Sequence, residues 1–305
     1  MVMSFNDGAQ LDPSQVEDRR GGGGGRFGRG TMIGGGVGGA ILVLVLTLLG
    51  VNPSILSDLT GGGQDAGQQQ PVGAAGGTSE CKTGADAAAR LDCRIVGTVN
   101  SVNAFWTDYF SKNGSKYTKP QAVIFSGQTS TGCGPATTDV GPFYCPTDTT
   151  AYFDPGFFDE LVTRFGSSGG PLAQEYVVAH EFGHHVQDLV GTLGYAQKDP
   201  QGAQSGSVRV ELQADCLAGM WAHAASTTND PATGKPFLQP ITQKDVQDAL
   251  SAAASVGDDR IQKAATGRTN PESYTHGTSQ QRQTWFMRGF QGGDLNQCNT
   301  LTGSV

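Results

Sequence analysis

The feature that most constrains the fold is the run His180-Glu181-Phe182-Gly183-His184, which has the pattern H-E-x-x-H. Residues four apart stand on one face of an α-helix, so this spacing predicts a helix whose two imidazoles converge on one metal ion. Glu181, beside the first histidine, can then reach a water on that metal and take its proton. The chain has only 5 histidines in 305 residues, so chance alone rarely produces this pattern. The alternative interpretation is an exposed helix whose histidines happen to line up.

A second pair, Glu211 and Asp215, lies downstream and also has the spacing of one helical turn. A catalytic zinc site needs three protein ligands and an open position for water, and two histidines with one glutamate are a common set. Glu211 can therefore face the metal, while Asp215 accepts a hydrogen bond from the free ring N–H of a ligand histidine. Acidic pairs at this spacing are usually solvated. Here Leu212, Cys216 and Gly219 predict a buried helix, on which carboxylates need a partner such as a metal ion.

Short apolar runs followed by longer helical patterns predict a small mixed sheet plus helices, which is an α+β architecture. The predicted strands lie at 122–125, 143–144 and 149–153, and the predicted helices at 94–111, 154–164, 172–191 and 208–225. Pro171 and Gly191 delimit the helix that carries the H-E-x-x-H pattern, because proline suits a first turn and glycine ends a helix.

At these motifs the chain resembles the bacterial family of putative neutral zinc metallopeptidases, membrane-anchored relatives of the H-E-x-x-H…E zincins typified by thermolysin. The resemblance covers residues 95–300 and rests on 180–187 (H-E-F-G-H-H-V-Q) and 211–215 (E-L-Q-A-D), with further matches at 141–146, 157–161 and 276–282. It implies a zincin-like metalloprotease domain. In that domain His180, His184 and Glu211 would bind one catalytic Zn²⁺ ion. Glu181 would be the general base.

The resemblance also implies a role for a later histidine and for an edge strand. In thermolysin-like enzymes a downstream histidine donates to the oxyanion of the tetrahedral intermediate, and His276, with Tyr274 nearby, lies in the matching late block. In such folds the edge strand of the sheet borders the cleft and can pair with an extended peptide. The strand near Phe125 or the one near Phe153 is the candidate, and the alternative is that these aromatics are core residues.

The predicted reaction is hydrolysis of a peptide bond in a peptide or protein substrate. The metal would polarise the scissile carbonyl and lower the pKa of its water to about 7. Glu181 would remove the proton and pass it to the leaving amine, while Asp215 orients a ligand histidine. The alternative is a membrane-tethered envelope module that binds a partner and uses its metal only for structure. Such a site would close the fourth position with another ligand, for which His185 or Cys216 is the candidate.

Two further histidines are assigned no ligand role. His185 points about 100° away from His184 around the helix, so it is predicted to be a packed or surface residue. His223 follows Asp215 by two turns and is predicted to be a core histidine with its hydrogen bonds satisfied.

The first 80 residues hold most of the long glycine runs and are predicted to form no domain of their own. Residues 31–51 carry no charge and are long enough to span a bilayer as a helix. Their late start and the lack of a cleavage pattern favour an uncleaved anchor over a cleaved signal peptide. Arginines precede this segment and none follows it up to residue 77, so the positive-inside rule places the N-terminus in the cytoplasm.

The predicted organisation is therefore that of a single-pass protein of the cell membrane. A cytoplasmic Gly/Arg-rich tail would occupy 1–30, a transmembrane helix 31–51, a flexible Gly/Gln-rich linker 52–80 and an exported zinc metallopeptidase domain 81–305. The domain would thus contact the membrane through one helix only.

Charge and cysteine usage agree with an exported domain. The formal net charge of −8 and the scarcity of basic clusters argue against a nucleic-acid partner. All 6 cysteines follow the apolar segment, which suits disulfides in an oxidising compartment. Of the 15 possible pairings, local spacing favours Cys81–Cys93 and Cys133–Cys145, which leaves Cys216–Cys298. A cysteine metal site is the alternative, but the chain contains no C-x-x-C pair.

Overall fold

The structure, a computed structural model, describes residues 5–21 and 77–305. Its helices are α1 (Gly84–Ala89), α2 (Leu91–Lys112), α3 (Pro155–Thr163), α4 (Pro171–Val190), α5 (Tyr195–Lys198), α6 (Gly206–Ala224), α7 (Gln243–Ser255), α8 (Asp258–Thr266) and α9 (Ser279–Gly292). Its strands are β1 (Glu17–Asp18), β2 (Gln121–Ile124), β3 (Gln128–Thr131), β4 (Gly134–Thr137), β5 (Phe143–Cys145) and β6 (Thr150–Phe153). The fold is mixed α/β with small sheets, as the apolar runs predict.

The larger sheet positions one strand beside the predicted site. Its order is β1-β2-β6-β5, and β3 and β4 form a separate hairpin. β1 and β2 run parallel, as do β2 and β6, whereas β5 runs antiparallel to β6. The candidates for a peptide-pairing edge near Phe125 and Phe153 are therefore wrong, because β2 and β6 are paired on both sides. In the described part of the chain, the edge strand that follows β6 in the sheet is β5.

The N-terminal residues 5–21 belong to the same fold as residues 77–305. β1 adds to the sheet beside β2. Phe5 is fully buried, and its ring packs against Gly97 of α2, where a Cβ atom would lie 2.7 Å from Phe5 Cε1. The Arg20 guanidinium donates to Asp18 and to Asp92 of α2, at 2.7 and 2.9 Å. Strand pairing, core packing and ion pairs thus all fix this segment on the domain.

This packing corrects the predicted membrane topology. A chain that crossed a membrane once at residues 31–51 would separate residues 5–21 from residues 77–305, yet the structure joins them in one sheet. Asp18 even accepts a hydrogen bond from the N–H of Thr78 at 3.0 Å. Within residues 5–21 and 77–305, no helix has the length and apolar character needed to cross a membrane. The segment 31–51 itself lies outside the described residues.

The predictions of a membrane-spanning N-terminal helix and of a single-pass location in the cell membrane are therefore wrong. Most of the predicted linker at 52–80 and the end of the predicted tail at 1–30 lie outside the described residues. The physical basis of the two wrong predictions was the charge asymmetry around residues 31–51. That asymmetry carries no information about whether the residues before the segment pack on the residues after it. Here they do, through β1 and β2.

Glycines allow the helices around the predicted site to approach closely. α4 meets α6 at Gly183, where a Cβ atom would lie 3.1 Å from the Cα of Ala214. α6 meets α9 at Gly289, where a Cβ atom would lie 1.9 Å from the main-chain oxygen of Cys216. Any larger side chain at these positions would push the helices apart. The glycine inside the H-E-x-x-H run therefore brings the second motif within reach of the histidines.

All six cysteines form the disulfides that the spacing favours, so that prediction is confirmed. The bonds are Cys81–Cys93, Cys133–Cys145 and Cys216–Cys298. The last one joins α6 to the C-terminal region across a sequence separation of 82 residues. No cysteine is left free to bind a metal ion.

Candidate metal site

The two motifs lie on helices α4 and α6, which start and end where their terminal residues predict. Pro171 occupies the first turn of α4, and Gly191, in the left-handed conformation with φ of 77°, ends it. α6 starts after Ser205, whose side chain accepts a hydrogen bond from the Val208 N–H. Both helices are buried over most of their surface. Their polar side chains must therefore find partners at the helix crossing.

The predicted ligand atoms come together at this crossing. His180 Nε2 is 3.2 Å from Glu211 Oε2, and His184 Nε2 is 3.4 Å from Glu211 Oε1. The donor atoms of the three residues all lie within 4.8 Å of one another. Two imidazole nitrogens and one carboxylate are the donors that zinc takes in catalytic sites. The three residues thus fit a zinc ion and leave a fourth position for another ligand.

His180 is supported by a charged group of buried residues, Asp215, Arg282 and Tyr176, which we call the Asp215 cluster. His180 Nδ1 is 2.9 Å from Asp215 Oδ1. Arg282 donates from Nε and Nη2 to the two Asp215 oxygens, at 2.8 and 2.9 Å. The Tyr176 hydroxyl donates to the same carboxylate. The ring nitrogen that faces Asp215 therefore carries a proton, and Nε2 faces Glu211.

The charges in this cluster support one another. Burial would raise the pKa of Asp215, but Arg282 and His180 outweigh it and hold that pKa below its usual value. Burial would lower the pKa of His180, but Asp215 and Glu211 raise it to about 10. In the absence of a metal ion, the raised pKa favours the protonated imidazole of His180. A metal ion that binds at Nε2 must displace its proton.

His184 is supported by two neutral side chains, Gln187 and Gln213, which we call the amide pair. His184 Nδ1 lies 2.8 Å from Gln187 Oε1. Gln187 Nε2 donates to the main-chain oxygen of Val210 at 2.6 Å and to Gln213 Oε1 at 3.0 Å. Gln213 Nε2 donates in turn to the main-chain oxygen of Cys298 at 3.1 Å. The second histidine is thus connected to the Cys216–Cys298 disulfide region.

Glu181 faces the same cavity as the three donors. The residue is only 6% exposed, and it lines the cavity together with the donors. Burial raises the pKa of Glu181 above its usual value, although His184 and His180 act in the opposite direction. A buried carboxylate with a raised pKa, next to a possible metal site, has the properties of a general base.

His276 lies on the wall of this cavity and is held by Asp258. His276 Nδ1 is 3.2 Å from Asp258 Oδ1, while Asp258 Oδ2 accepts the main-chain N–H groups of Thr275, His276 and Gly277. Burial would lower the pKa of His276, but Asp258 and Glu211 raise it above its usual value. The pair resembles His180 with Asp215, since a buried carboxylate fixes the ring from behind.

The two remaining histidines and Cys216 lie away from the donors. His185 is fully buried, and its Nε2 is 2.7 Å from the main-chain oxygen of Thr118. His223 is on the surface and donates from Nδ1 to the main-chain oxygen of Phe290 at 2.6 Å, so the prediction of a core histidine is wrong. The last turn of α6 carries it out of the core. Cys216 is in a disulfide. Neither His185 nor Cys216 closes the fourth position.

The cavity has a volume of about 450 Å³ and a largely apolar wall. Besides the site residues, its lining includes Val140, Phe143, Phe157, Leu193 and Ile261. Phe143 belongs to the edge strand β5. The site therefore combines a few polar groups with a large apolar surface, which is typical of ligand-binding clefts.

Several residues of the site, among them Tyr176, Gln187 and Arg282, are given no role by the sequence motifs. Tyr176 lies one helical turn before His180, and Gln187 lies three residues after His184, so helical spacing alone could have placed both beside the ligands. Arg282 belongs to the late block 276–282, but 67 residues separate it from Asp215. No local pattern predicts that contact.

Comparison with known proteins adds the family. The family described as "Putative neutral zinc metallopeptidase" matches residues 6–301, a range that includes the N-terminal segment. The uncharacterized protein Rv2575 of Mycobacterium tuberculosis is 56% identical over 256 residues, which are 84% of this chain and 84% of that protein. The uncharacterized protein YpfJ of Escherichia coli is 40% identical over 301 residues, which are 96% of this chain and 98% of that protein. No solved structure gives a significant match.

Proposed function

The chain belongs to the putative neutral zinc metallopeptidase family, and from this premise we propose that it hydrolyses peptide bonds with one zinc ion held by His180, His184 and Glu211. The observation that carries the proposal is the arrangement of four side chains. Three donors lie within 4.8 Å of one another. The buried carboxylate of Glu181 faces the same cavity. A site that served structure alone would need no such acid beside its ligands.

Each residue near the donors has a distinct proposed role. When bound, zinc would polarise the scissile carbonyl and acidify a water molecule. Glu181 accepts the proton of that water and transfers it to the leaving amine, for which a raised pKa is suitable. Asp215 holds His180 with its Nε2 toward the metal, because its own carboxylate accepts the proton on Nδ1.

His276 is the proposed donor to the oxyanion of the tetrahedral intermediate. The support for this role is its position on the cavity wall and its hydrogen bond with Asp258. Asp258 and Glu211 raise the pKa of His276 above its usual value, which favours the protonated ring as a donor. A preorganised donor of this kind stabilises the charge that develops in the transition state.

The proposed substrate is an extended peptide segment with apolar side chains near the scissile bond. β5 is the edge strand beside the cavity, and its other side pairs with β6. An extended peptide can add to such an edge through main-chain hydrogen bonds. The apolar wall formed by Val140, Phe143 and Leu193 would then accommodate the peptide's side chains.

The test is to digest a diverse peptide library with the purified protein and with variants. Glu181→Gln should keep zinc and lose hydrolysis, because it removes the base and leaves the ligands. His180→Ala, His184→Ala and Glu211→Gln should each lose both zinc and activity. Zinc is measured by plasma mass spectrometry, and cleavage by mass spectrometry of the products.

The matched control is Glu272→Gln, which changes an exposed glutamate that does not line the cavity and should alter neither quantity. Full activity of Glu181→Gln would refute the role of the base. A wild-type protein that holds one zinc ion and cleaves no peptide would refute the enzymatic function and favour a structural metal site.

A further inference from the structure

We infer that Gln187 is the positioning residue that fixes the tautomer of His184, and that Gln213 holds Gln187 in the required orientation. Gln187 is fully buried on α4, and Gln213 is buried on α6. The inference rests on the proposed metal site, since the tautomer of His184 matters for metal binding only if its Nε2 is a ligand atom.

Two main-chain carbonyls set the direction of the hydrogen bonds in the amide pair. A carbonyl oxygen only accepts, so the amide nitrogen of Gln213 must be the atom that lies 3.1 Å from the oxygen of Cys298. For the same reason the amide nitrogen of Gln187 faces the oxygen of Val210, 2.6 Å away. Each amide must then turn its own oxygen in the opposite direction. Gln213 Oε1 accepts from Gln187 Nε2, and Gln187 Oε1 faces His184 Nδ1 at 2.8 Å.

The tautomer of His184 follows from this order. Because Gln187 Oε1 is an acceptor, Nδ1 of His184 must be the nitrogen that carries the proton. The lone pair of Nε2 is then directed toward the metal position. The Thr192 hydroxyl donates to Gln213 Oε1 at 2.9 Å, which gives that oxygen a second donor and reinforces the orientation of the pair.

The other tautomer would disable the site. A proton on His184 Nε2 would point at Glu211 Oε1, 3.4 Å away. That contact would occupy the ligand nitrogen and one oxygen of the ligand carboxylate at once. Gln187 thus favours metal binding by stabilising the competent tautomer. Its bond to Val210, the residue before Glu211, also ties α4 to α6 next to the third ligand.

Two substitutions at Gln187 distinguish its effect on the tautomer of His184 from its effect on the stability of the fold. Gln187→Met has a similar volume and no acceptor, so the proton should redistribute toward Nε2. Zinc affinity should then fall on the order of 10 to 100-fold, as for other residues that support a metal ligand. Gln187→Glu keeps an acceptor for His184 but loses the donor to Val210. It should therefore lower the melting temperature and still preserve the Nδ1–H tautomer.

The tautomer is measured by long-range ¹H–¹⁵N correlation spectra of the metal-free full-length protein, at a pH where the ring of His184 is neutral. The His184 signals are assigned by their loss in His184→Ala, and zinc affinity is measured by competition with a chelator. The control Gln174→Met lies on the same helix, where Gln174 is half-buried and accepts from Arg94. It should leave the tautomer and the zinc affinity unchanged.

A Gln187→Met protein that keeps the Nδ1–H tautomer and wild-type zinc affinity would overturn the inference. Loss of this tautomer in Gln187→Glu would also overturn it, because the acceptor would then not be the deciding group. A wild-type protein with the Nδ1–H tautomer but no zinc affinity would refute the proposed metal site. The inferred series of hydrogen bonds from Cys298 to His184 would still hold, so failure of the metal site can be distinguished from failure of this inference.

Discussion

The two histidines of the H-E-x-x-H run are held by chemically different surroundings. The Asp215 cluster behind His180 contains a full negative and a full positive charge, and Asp215 and Arg282 are almost completely buried. The amide pair behind His184 is neutral and ends on main-chain carbonyls. The Asp215 cluster and the amide pair each place a proton on Nδ1 of the histidine that they support and turn its Nε2 toward Glu211. They differ in what it costs to break them, because an unpaired buried charge is more costly than an unpaired buried amide.

The largest effect is expected when the Asp215 cluster loses the guanidinium of Arg282. Arg282→Met would leave two buried carboxylates, Asp215 and Glu211, with His180 as their one shared cationic neighbour. We expect the free energy of unfolding to fall by about 3–5 kcal/mol, as for other buried ion pairs that lose one member. Urea denaturation of the metal-free protein measures this change.

The double variant Asp215→Asn with Arg282→Met is the control, because it leaves neither charge unpaired. It should recover part of the lost stability. A loss below about 1 kcal/mol in Arg282→Met would mean that the cluster is not the charged support described here. Asp215→Asn alone should weaken zinc binding on the order of 10 to 100-fold, since the support of His180 is altered.

A second effect is expected from pH in the zinc-free protein, in which deprotonation of His180 still leaves Asp215 paired with Arg282. The pKa of His180 is raised from 6.5 to about 10 in the folded protein. Its contribution to stability is therefore fully present below about pH 6.5 and is lost as pH rises toward about 10. The melting temperature of the zinc-free protein should fall across this window, and His180→Ala should remove that part of the decrease. An identical pH profile for both proteins would contradict the assignment.

A substitution in the amide pair should cause a smaller loss of stability than Arg282→Met. Gln213→Met removes the donor to Cys298 and the acceptor for Gln187, so the buried amide of Gln187 loses one partner. We expect a loss of about 1–3 kcal/mol in the free energy of unfolding. Urea denaturation measures it beside Arg282→Met. A loss larger than that of Arg282→Met would reverse the ranking of the two supports.

The smallest effect is expected outside both supports. His223→Ala changes an exposed residue in the last turn of α6, the helix whose earlier turns carry Glu211 and Asp215. Zinc content should stay the same, and stability should change by no more than about 0.5 kcal/mol. A loss of zinc in this variant would show that the site extends beyond the residues described here.

The sequence predicts the parts of this site that depend on local spacing. His180, Glu181 and His184 share one helix, and Glu211 with Asp215 shares another, so the spacing of each motif locates its side chains on one helical face. Two of the disulfides follow from local spacing as well, and the third is the pair that remains. Helix α4 starts and ends within one residue of its prediction, because proline and glycine mark its ends.

What depends on distant packing could not be predicted in the same way. Arg282 reaches Asp215 only because α9 packs on α6 through Gly289. β1 pairs with β2 although residues 22–76 separate it from the rest of the domain in the sequence. The charge pattern around residues 31–51 predicts instead that the residues before and after that segment lie on opposite sides of a membrane. The identity of the edge strand depends on the order of strands in the sheet, which short apolar runs do not encode.

The most direct test of the central claim is X-ray absorption at the zinc edge on the protein loaded with one equivalent of zinc. We expect two imidazole nitrogens at about 2.0–2.1 Å, one carboxylate and one water oxygen, with no sulfur. The imidazoles would be those of His180 and His184, the carboxylate that of Glu211, and the water would occupy the fourth position. A spectrum with sulfur, with four protein ligands or with a single imidazole would contradict the account, as would a protein that binds no zinc.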